Sequence, residues 1–350
     1  MKKKALLLMM SLVLMFVLAA CGSTSNSNNN VNSGASTESA APAEGSANAA
    51  AETEGNASTA AGTTEATAPA EVTIKHQLGE ATLKTNPEKV VVFDFGTLDT
   101  LNKLGVNVTA LPKDSLPSYL KETYTTDAYE NAGTLFEPDF EKLASLKPDV
   151  IFISGRASEA YEELSKIAPT IYTGVDTAKY MESFKQNLSV IGQIFNKTAE
   201  VEAELAALEA SIQSVNAAAT ASGKKGLIVL TTGGKMSAFG KGSRFGFIHD
   251  VLGVPASDES IEVGTHGMSV TSEFIAEKNP DYLFVVDRDA VVEKEGAKAG
   301  KDVIENALVK NTNAFKNGKI AYLDPNYWYL SGGGLESTAQ MIQAVEAVVK

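Results

Sequence analysis

One pattern occurs twice in this chain, and it restricts the fold more than any other feature. Glu141 is followed after six residues by Pro148-Asp149, then by Val-Ile-Phe-Ile-Ser-Gly and Arg156. Glu273 is followed after six residues by Pro280-Asp281, then by Tyr-Leu-Phe-Val-Val-Asp and Arg288. Each copy reads as a helix, a Pro-Asp turn, a short buried strand and an arginine where that strand ends. Two copies imply two halves of like topology. In open α/β sheets ligands bind beyond the carboxyl ends of the strands. The repeat therefore aims Arg156 and Arg288 at one shared crevice and sets Glu141 and Glu273 at matching places on its rims.

The rest of the folded part fits two such halves. Apolar runs at 90–95, 150–154, 170–172, 227–231, 282–286 and 320–323 read as strands. Helical patterns cover 97–104, 139–146, 158–167, 178–195, 244–252, 271–278, 302–310 and 333–349. Strands alternating with helices predict α/β halves with central parallel sheets. Between them, Thr198–Ser222 is rich in Ala, Glu and Leu and holds no Pro or Gly. It reads as one long helix joining the halves, with an ordinary amphipathic surface helix as the alternative. The expected divisions are 72–197, the linking helix 198–222, and 223–350.

The first seventy residues differ in kind. Lys2, Lys3 and Lys4 precede an apolar stretch and then Leu18-Ala19-Ala20-Cys21, the pattern of a secretory signal over 1–20. Cys21 is the only cysteine, and an unpaired exported thiol calls for a purpose. Leu-Ala-Ala-Cys resembles the bacterial lipobox, which implies lipidation of Cys21. From there to residue 71 the chain is almost entirely Ser, Asn, Ala, Thr, Gly and Glu with no aromatic residue, a composition that suits a tether and not a core. The whole chain has 30 basic and 43 acidic residues, a net charge of −13. Such a balance argues against a nucleic-acid partner.

Among those 30 basic residues only three are arginine: Arg156, Arg244 and Arg288. Lysine serves as the solubilising cation elsewhere, so arginine marks positions where a planar fork of donors is wanted. Arg244 follows a glycine-rich stretch, Thr231–Ser243, read as a loop after a strand. The pattern predicts three guanidinium groups around an anionic ligand, against structural ion pairs with acids such as Asp287 or Asp289. Of the histidines, His76 falls before the first strand in an edge segment, and His249 on a helix face. His266 sits in a Gly264-Thr-His-Gly loop that suits a cleft. Tyr327, Trp328 and Tyr329 stand beside Gly332–Gly334. Trp328 is a candidate ligand contact, and Tyr327 a candidate phenolate for a hard iron(III) or a platform for an aromatic ring. No spacing supplies a dedicated metal site, and no nucleophile elbow or phosphate loop is present. The reading is thus a binding protein without an intrinsic cofactor, with an exported enzyme or adhesion module as the other class.

These features together resemble the ferric-siderophore-binding lipoproteins of ABC importers, which have the class III substrate-binding-protein fold. The similarity is to the subgroup taking petrobactin and related catecholates. It rests on Val92-Phe-Asp-Phe-Gly-Thr-Leu-Asp, Ser237-Ala-Phe-Gly-x-x-Ser-Arg, Thr265-His-Gly and the ending Trp-Tyr-Leu-Ser-Gly-Gly-Gly-Leu-Glu-Ser. The resemblance implies two Rossmann-like lobes joined by one rigid helix. It implies that Arg156, Arg244 and Arg288 bind an Fe(III)–siderophore, and that His266 and Tyr327 complete the iron coordination. Glu141 and Glu273 would dock onto the permease of a permease–ATPase complex. It further implies a monomer on the extracytoplasmic face of the cell membrane. A heme, cobalamin or hydroxamate-siderophore receptor of the same fold is the alternative; three arginines favour a strongly anionic ligand.

Overall fold

The structure, a computed structural model, describes residues 70–292 and 298–350. The expected signal segment, Cys21 and nearly all of the tether lie outside the described residues. The chain opens with a hairpin, β1 (Glu71–His76) and β2 (Gly79–Lys84), then β3 (Val90–Val92) and α1 (Phe95–Lys103). Next come β4 (Ala110–Leu111), α2 (Ser118–Tyr124), β5 (Glu130–Asn131), α3 (Phe140–Leu146) and β6 (Val150–Ile153). Then follow α4 (Tyr161–Ser165), β7 (Thr170–Tyr172), α5 (Tyr180–Ile194) and the long α6 (Thr198–Ser222). The second half holds β8 (Gly226–Thr232), β9 (Lys235–Phe239), α7 (Phe247–Asp250), β10 (Met268–Val270), α8 (Ser272–Lys278) and β11 (Tyr282–Asp287). It ends with α9 (Gly300–Ile304), α10 (Asn313–Lys316), β12 (Ile320–Leu323) and α11 (Leu335–Val349).

Each half builds a five-stranded sheet, and the two have the same order: β5-β4-β3-β6-β7 and β10-β9-β8-β11-β12. In both, the first strand of the sheet, β3 or β8, lies central and the chain reverses its direction of travel beside it. That switch point opens a crevice past the strand ends, between β3 and β6 in one sheet and β8 and β11 in the other. The repeat is visible in local detail. α3 and α8 both end on a residue in the left-handed conformation, Lys147 (φ 51°) and Asn279 (φ 42°). The Pro-Asp turn follows, and each aspartate accepts backbone N–H groups from the segment entering the neighbouring strand: Asp149 from Glu88 and Lys89, Asp281 from Lys225.

The N-terminal sheet is parallel throughout, as expected. The C-terminal sheet is mixed, because the stretch read as the loop 231–243 contains β9, antiparallel to β8. Gly233 and Gly234 supply the positive φ values, 56° and 75°, that a two-residue hairpin turn requires. Two helical patterns are also cut shorter. The expected helix 244–252 reduces to α7, and 302–310 to α9 followed by a separate 3₁₀ turn at 309–311.

Strand alternation explains how the halves cohere. Val90, Val92, Val150 and Phe152 of one sheet and Ile228, Leu230, Phe284 and Val286 of the other belong to one continuous core. Their sequence neighbours face two separate outer cores: Val91 and Ile151 in one, Leu227, Val229, Leu283 and Val285 in the other. Each sheet thus turns one face inward to a shared helical layer and one outward. In that layer α6 packs on α5 and α11, and α11 packs on α1. The last helix, assigned by sequence to the C-terminal half, therefore spans both.

Candidate functional site

Arg156 stands three residues past β6, Arg288 directly past β11, and Arg244 past β9 in a turn tied by Ser243 Oγ to the Gly240 carbonyl (2.5 Å). All three side chains meet at one residue. Arg156 donates to the Tyr329 carbonyl (2.8 Å) and the Leu330 carbonyl (3.3 Å). Arg244 donates to the same Tyr329 carbonyl at 2.6 Å. Arg288 donates through Nε to the Tyr329 hydroxyl at 2.8 Å. The Tyr329 ring lies beneath the guanidinium carbons of Arg244, Arg288 and Arg156, with centroid distances of 4.0, 5.6 and 5.9 Å. The structural ion-pair alternative does not describe Arg156 or Arg244, which make no salt bridge among the described residues. Of the three, only Arg288 comes within salt-bridge distance of a carboxylate among the described residues, Asp289 at 3.9 Å.

Three cations around one phenol have electrostatic consequences. Burial pushes the Arg244 guanidinium down to about 10, and the neighbouring charges of Arg156 and Arg288 push the same way. Burial also lowers Arg156, opposed by the carboxylate of Asp94. For Tyr329, burial alone would raise the phenol. The Arg288 hydrogen bond and the three positive charges outweigh it and hold the phenol below its usual value. A cleft of about 430 Å³ opens here, lined by Arg156, Arg244, Tyr172, Thr265, Trp328 and Tyr329, among others. Phe136, an apolar side chain 67% exposed, stands at its mouth.

The aromatic trio divides. Residues 326–330 form one π-type turn, which sends neighbouring side chains in different directions. Tyr329 points to the arginines. Trp328 is only 4% exposed and packs edge-on against Phe247, so it belongs to the core and meets the cleft with one edge. Tyr327, expected at the metal, is not brought to the arginines. Its ring packs on Tyr119 with centroids 4.7 Å apart. Burial, Asp324, Glu336 and Asp99 all raise its phenol, opposite to what a phenolate ligand needs. Tyr329 is the residue that sequence reasoning passed over; its signal was adjacency to Tyr327, with no means of choosing between them.

His266 is exposed on the loop beside Thr265, at the cleft rim. His249 is buried and its Nδ1 bonds the Val254 carbonyl (2.7 Å), while His76 packs edge-on against Tyr161; neither approaches the cleft. Glu141 and Glu273 occupy the same place in each half, exposed in the first turns of α3 and α8. Among the described residues no group of three or more His, Cys, Asp or Glu is placed to hold a metal ion.

Comparison with known proteins agrees with this geometry. The family model described as "Periplasmic binding protein" matches residues 90–327. The petrobactin-binding protein YclQ of Bacillus subtilis is 53% identical over 284 residues, covering 80% of this chain and 89% of that protein. Its crystal structure superposes with a TM-score of 0.77, covering 80% of this chain and 99% of that one. The periplasmic catecholate-siderophore binding protein VctP of Vibrio cholerae superposes with a TM-score of 0.76 at 40% identity, covering 79% and 99%. The ferric-anguibactin-binding protein FatB of Vibrio anguillarum is 33% identical over 283 residues, covering 78% of this chain and 86% of that protein.

Proposed function

The chain belongs to the periplasmic binding protein family, and from that premise we propose that it captures an anionic ferric siderophore of the catecholate class, petrobactin-like, and delivers it to an ABC importer. The observation that carries this reading is the convergence of Arg156, Arg244 and Arg288 from both halves on Tyr329. Ferric catecholates carry several negative charges and flat rings. Guanidinium groups meet the charge by charge-assisted hydrogen bonds and the rings by stacking. Partial desolvation between the halves strengthens each contact. The iron is cargo, held mainly by its own chelator. Tyr329, with its lowered phenol among the cations, is better placed than Tyr327 to reach an open coordination position, with His266 approaching from the rim. The ligands of the similar proteins, petrobactin for YclQ, ferric anguibactin for FatB and catecholate siderophores for VctP, support the ligand class.

The wider assignment follows the same premise. The family is extracytoplasmic, and Cys21, lipidated, would hold the chain to the outer face of the cell membrane as a monomer. Glu141 and Glu273, at equivalent positions of the two halves, are the proposed contacts for permease cations. Reversing their charge abolishes uptake and leaves ligand affinity unchanged; loss of binding itself would contradict the docking role. The test of the central reading is a titration against a panel of ferric siderophores, followed by emission of Trp328, the only tryptophan. Ferric petrobactin or a related catecholate quenches it at submicromolar concentration, and ferric hydroxamates and heme do not. A response to hydroxamate or heme alone would overturn the assignment.

A further inference from the structure

The turn that gathers the arginines is held from behind by a buried carboxylate that no cation pairs with among the described residues. Asp99, on α1, is 1% exposed. Its Oδ1 accepts the N–H of Glu336 and its Oδ2 the N–H of Ser337, both at 2.8 Å. The adjacent Thr100 Oγ1 accepts the N–H of Leu335 at 3.2 Å. The first three free N–H groups of α11 are thus satisfied by side chains of α1, a cap supplied by the other half of the chain. Such proximity explains the glycines at 334 and 96. A Cβ on Gly334 would lie 2.5 Å from the Asp99 carboxyl, and one on Gly96 would lie 3.1 Å from the backbone of Gly332 and Gly333.

The same carboxylate reaches the binding turn. Tyr119, on α2, donates its hydroxyl to Asp99 Oδ2 at 2.6 Å, and that hydroxyl stands 2.7 Å from Ser331 Oγ. The Ser331 Oγ proton is shared between the Tyr119 hydroxyl oxygen and the Asn326 carbonyl, each 2.7 Å away, which ties Tyr119 to the turn and closes the turn across its base. Next to Tyr119, the Ser118 N–H donates to Asn326 Oδ1 at 2.9 Å. Ser331 is fully buried and directly follows Leu330, whose carbonyl, with that of Tyr329, receives Arg156.

We propose that Asp99 and Tyr119 are positioning residues for ligand recognition: acting through Ser331, they fix the 326–331 turn and so place the Tyr329 ring and carbonyls among the three arginines. Neither touches the cleft. The inference rests on the ferric-catecholate reading for its ligand but not for its structural half, so two measurements separate them. Full-length protein carrying Tyr119→Phe, Ser331→Ala, or both is titrated with ferric petrobactin, and Trp328 emission is recorded without ligand. Each single variant weakens binding roughly 5-fold, the worth of one neutral hydrogen bond. The double variant falls short of the product of the two single losses, because both singles remove the Tyr119–Ser331 link. Both singles shift the Trp328 emission in the same direction, while melting temperatures stay close to that of the unsubstituted protein. Unchanged affinity in both singles, or losses that multiply, would overturn the proposal. If the unsubstituted chain binds no ferric catecholate, the functional reading fails instead. The emission shifts then decide the positioning role, and their absence would end it.

Discussion

Arg244→Met separates what one guanidinium costs the fold from what it gives a ligand. Burial, then the charge of Arg156, holds this group near 10, against an ordinary value of 12.5. At about 1.4 kcal/mol per pKa unit that is roughly 3 kcal/mol of lost preference for the charged form, or about 1–3 kcal/mol once the water of an open cleft is allowed for. Methionine keeps an unbranched apolar stem over the Tyr329 ring and a sulfur suited to an aromatic face. The Tyr329 carbonyl keeps its bond from Arg156. The protein alone should therefore melt no lower than the unsubstituted chain, and by up to a few degrees higher at about 2–4 °C per kcal/mol for a domain of this size. Binding behaves oppositely. Losing one charge-assisted contact costs about 1.5–3 kcal/mol, a roughly 10- to 150-fold weaker Kd. Differential scanning fluorimetry gives the first quantity, and quenching of Trp328 by ferric petrobactin the second. A variant that melts well below the unsubstituted chain yet keeps its affinity would make Arg244 a structural tie and refute the reasoning.

Tyr329→Phe removes the phenol that meets Arg288; it weakens ferric-catecholate binding about tenfold and alters the visible charge-transfer band of the bound complex, whereas Tyr327→Phe leaves both unchanged. Burial raises Asp99 to about 6 from 3.8, so its contribution to stability is fully present below 3.8 and is lost as pH rises through 6. Relative to Asp99→Asn, the unsubstituted chain gains about 2 kcal/mol between pH 7 and pH 4 in urea unfolding, and a difference independent of pH would contradict this. Gly334→Ala forces a Cβ to within 2.6 Å of the Gly96 carbonyl and costs about 1–3 kcal/mol in the same assay; a neutral result would mean that α1 and α11 can separate freely.

The sequence carried the architecture because the same signals are written twice. The runs that became β6 and β11 are largely apolar, follow Pro-Asp and lead to an arginine at the same spacing, and their shortness and β-branched content mark them as buried strands. The long α6 was legible because 25 residues without Gly or Pro have no competing structure. β9 was not legible, since its flanking glycines read as a loop until the antiparallel register assigns Gly233-Gly234 to a hairpin turn. Of the site, the three arginines were visible only against a background of lysine. The choice of Tyr329 over Tyr327 was not visible, because it depends on the phase of one five-residue turn. Asp99 was hidden for another reason: the N–H groups it caps lie more than 230 positions away in sequence, and no local pattern announces a helix capped by a distant strand–helix unit.

The position of that cap bears on how such a cleft selects its ligand. α11 is tied to α1 through Asp99 and Thr100, and the core runs unbroken through both sheets, so wide opening of the halves would expose buried apolar surface and strip three N–H groups of their acceptors. The Tyr329 turn takes two donors of Arg156 and one each of Arg244 and Arg288, out of the five that each guanidinium carries. These acceptors are neutral, and an anionic oxygen makes roughly twice as strong a bond to the same kind of donor. A neutral hydroxamate complex therefore gains little from the arginines. A ferric catecholate adds negative charge and flat rings that stack on guanidinium faces, as the Tyr329 ring does at 4.0 Å from Arg244. Selectivity in this cleft then follows from ligand charge met by guanidinium groups that one turn of the protein's own chain holds in place, so loosening that turn weakens binding.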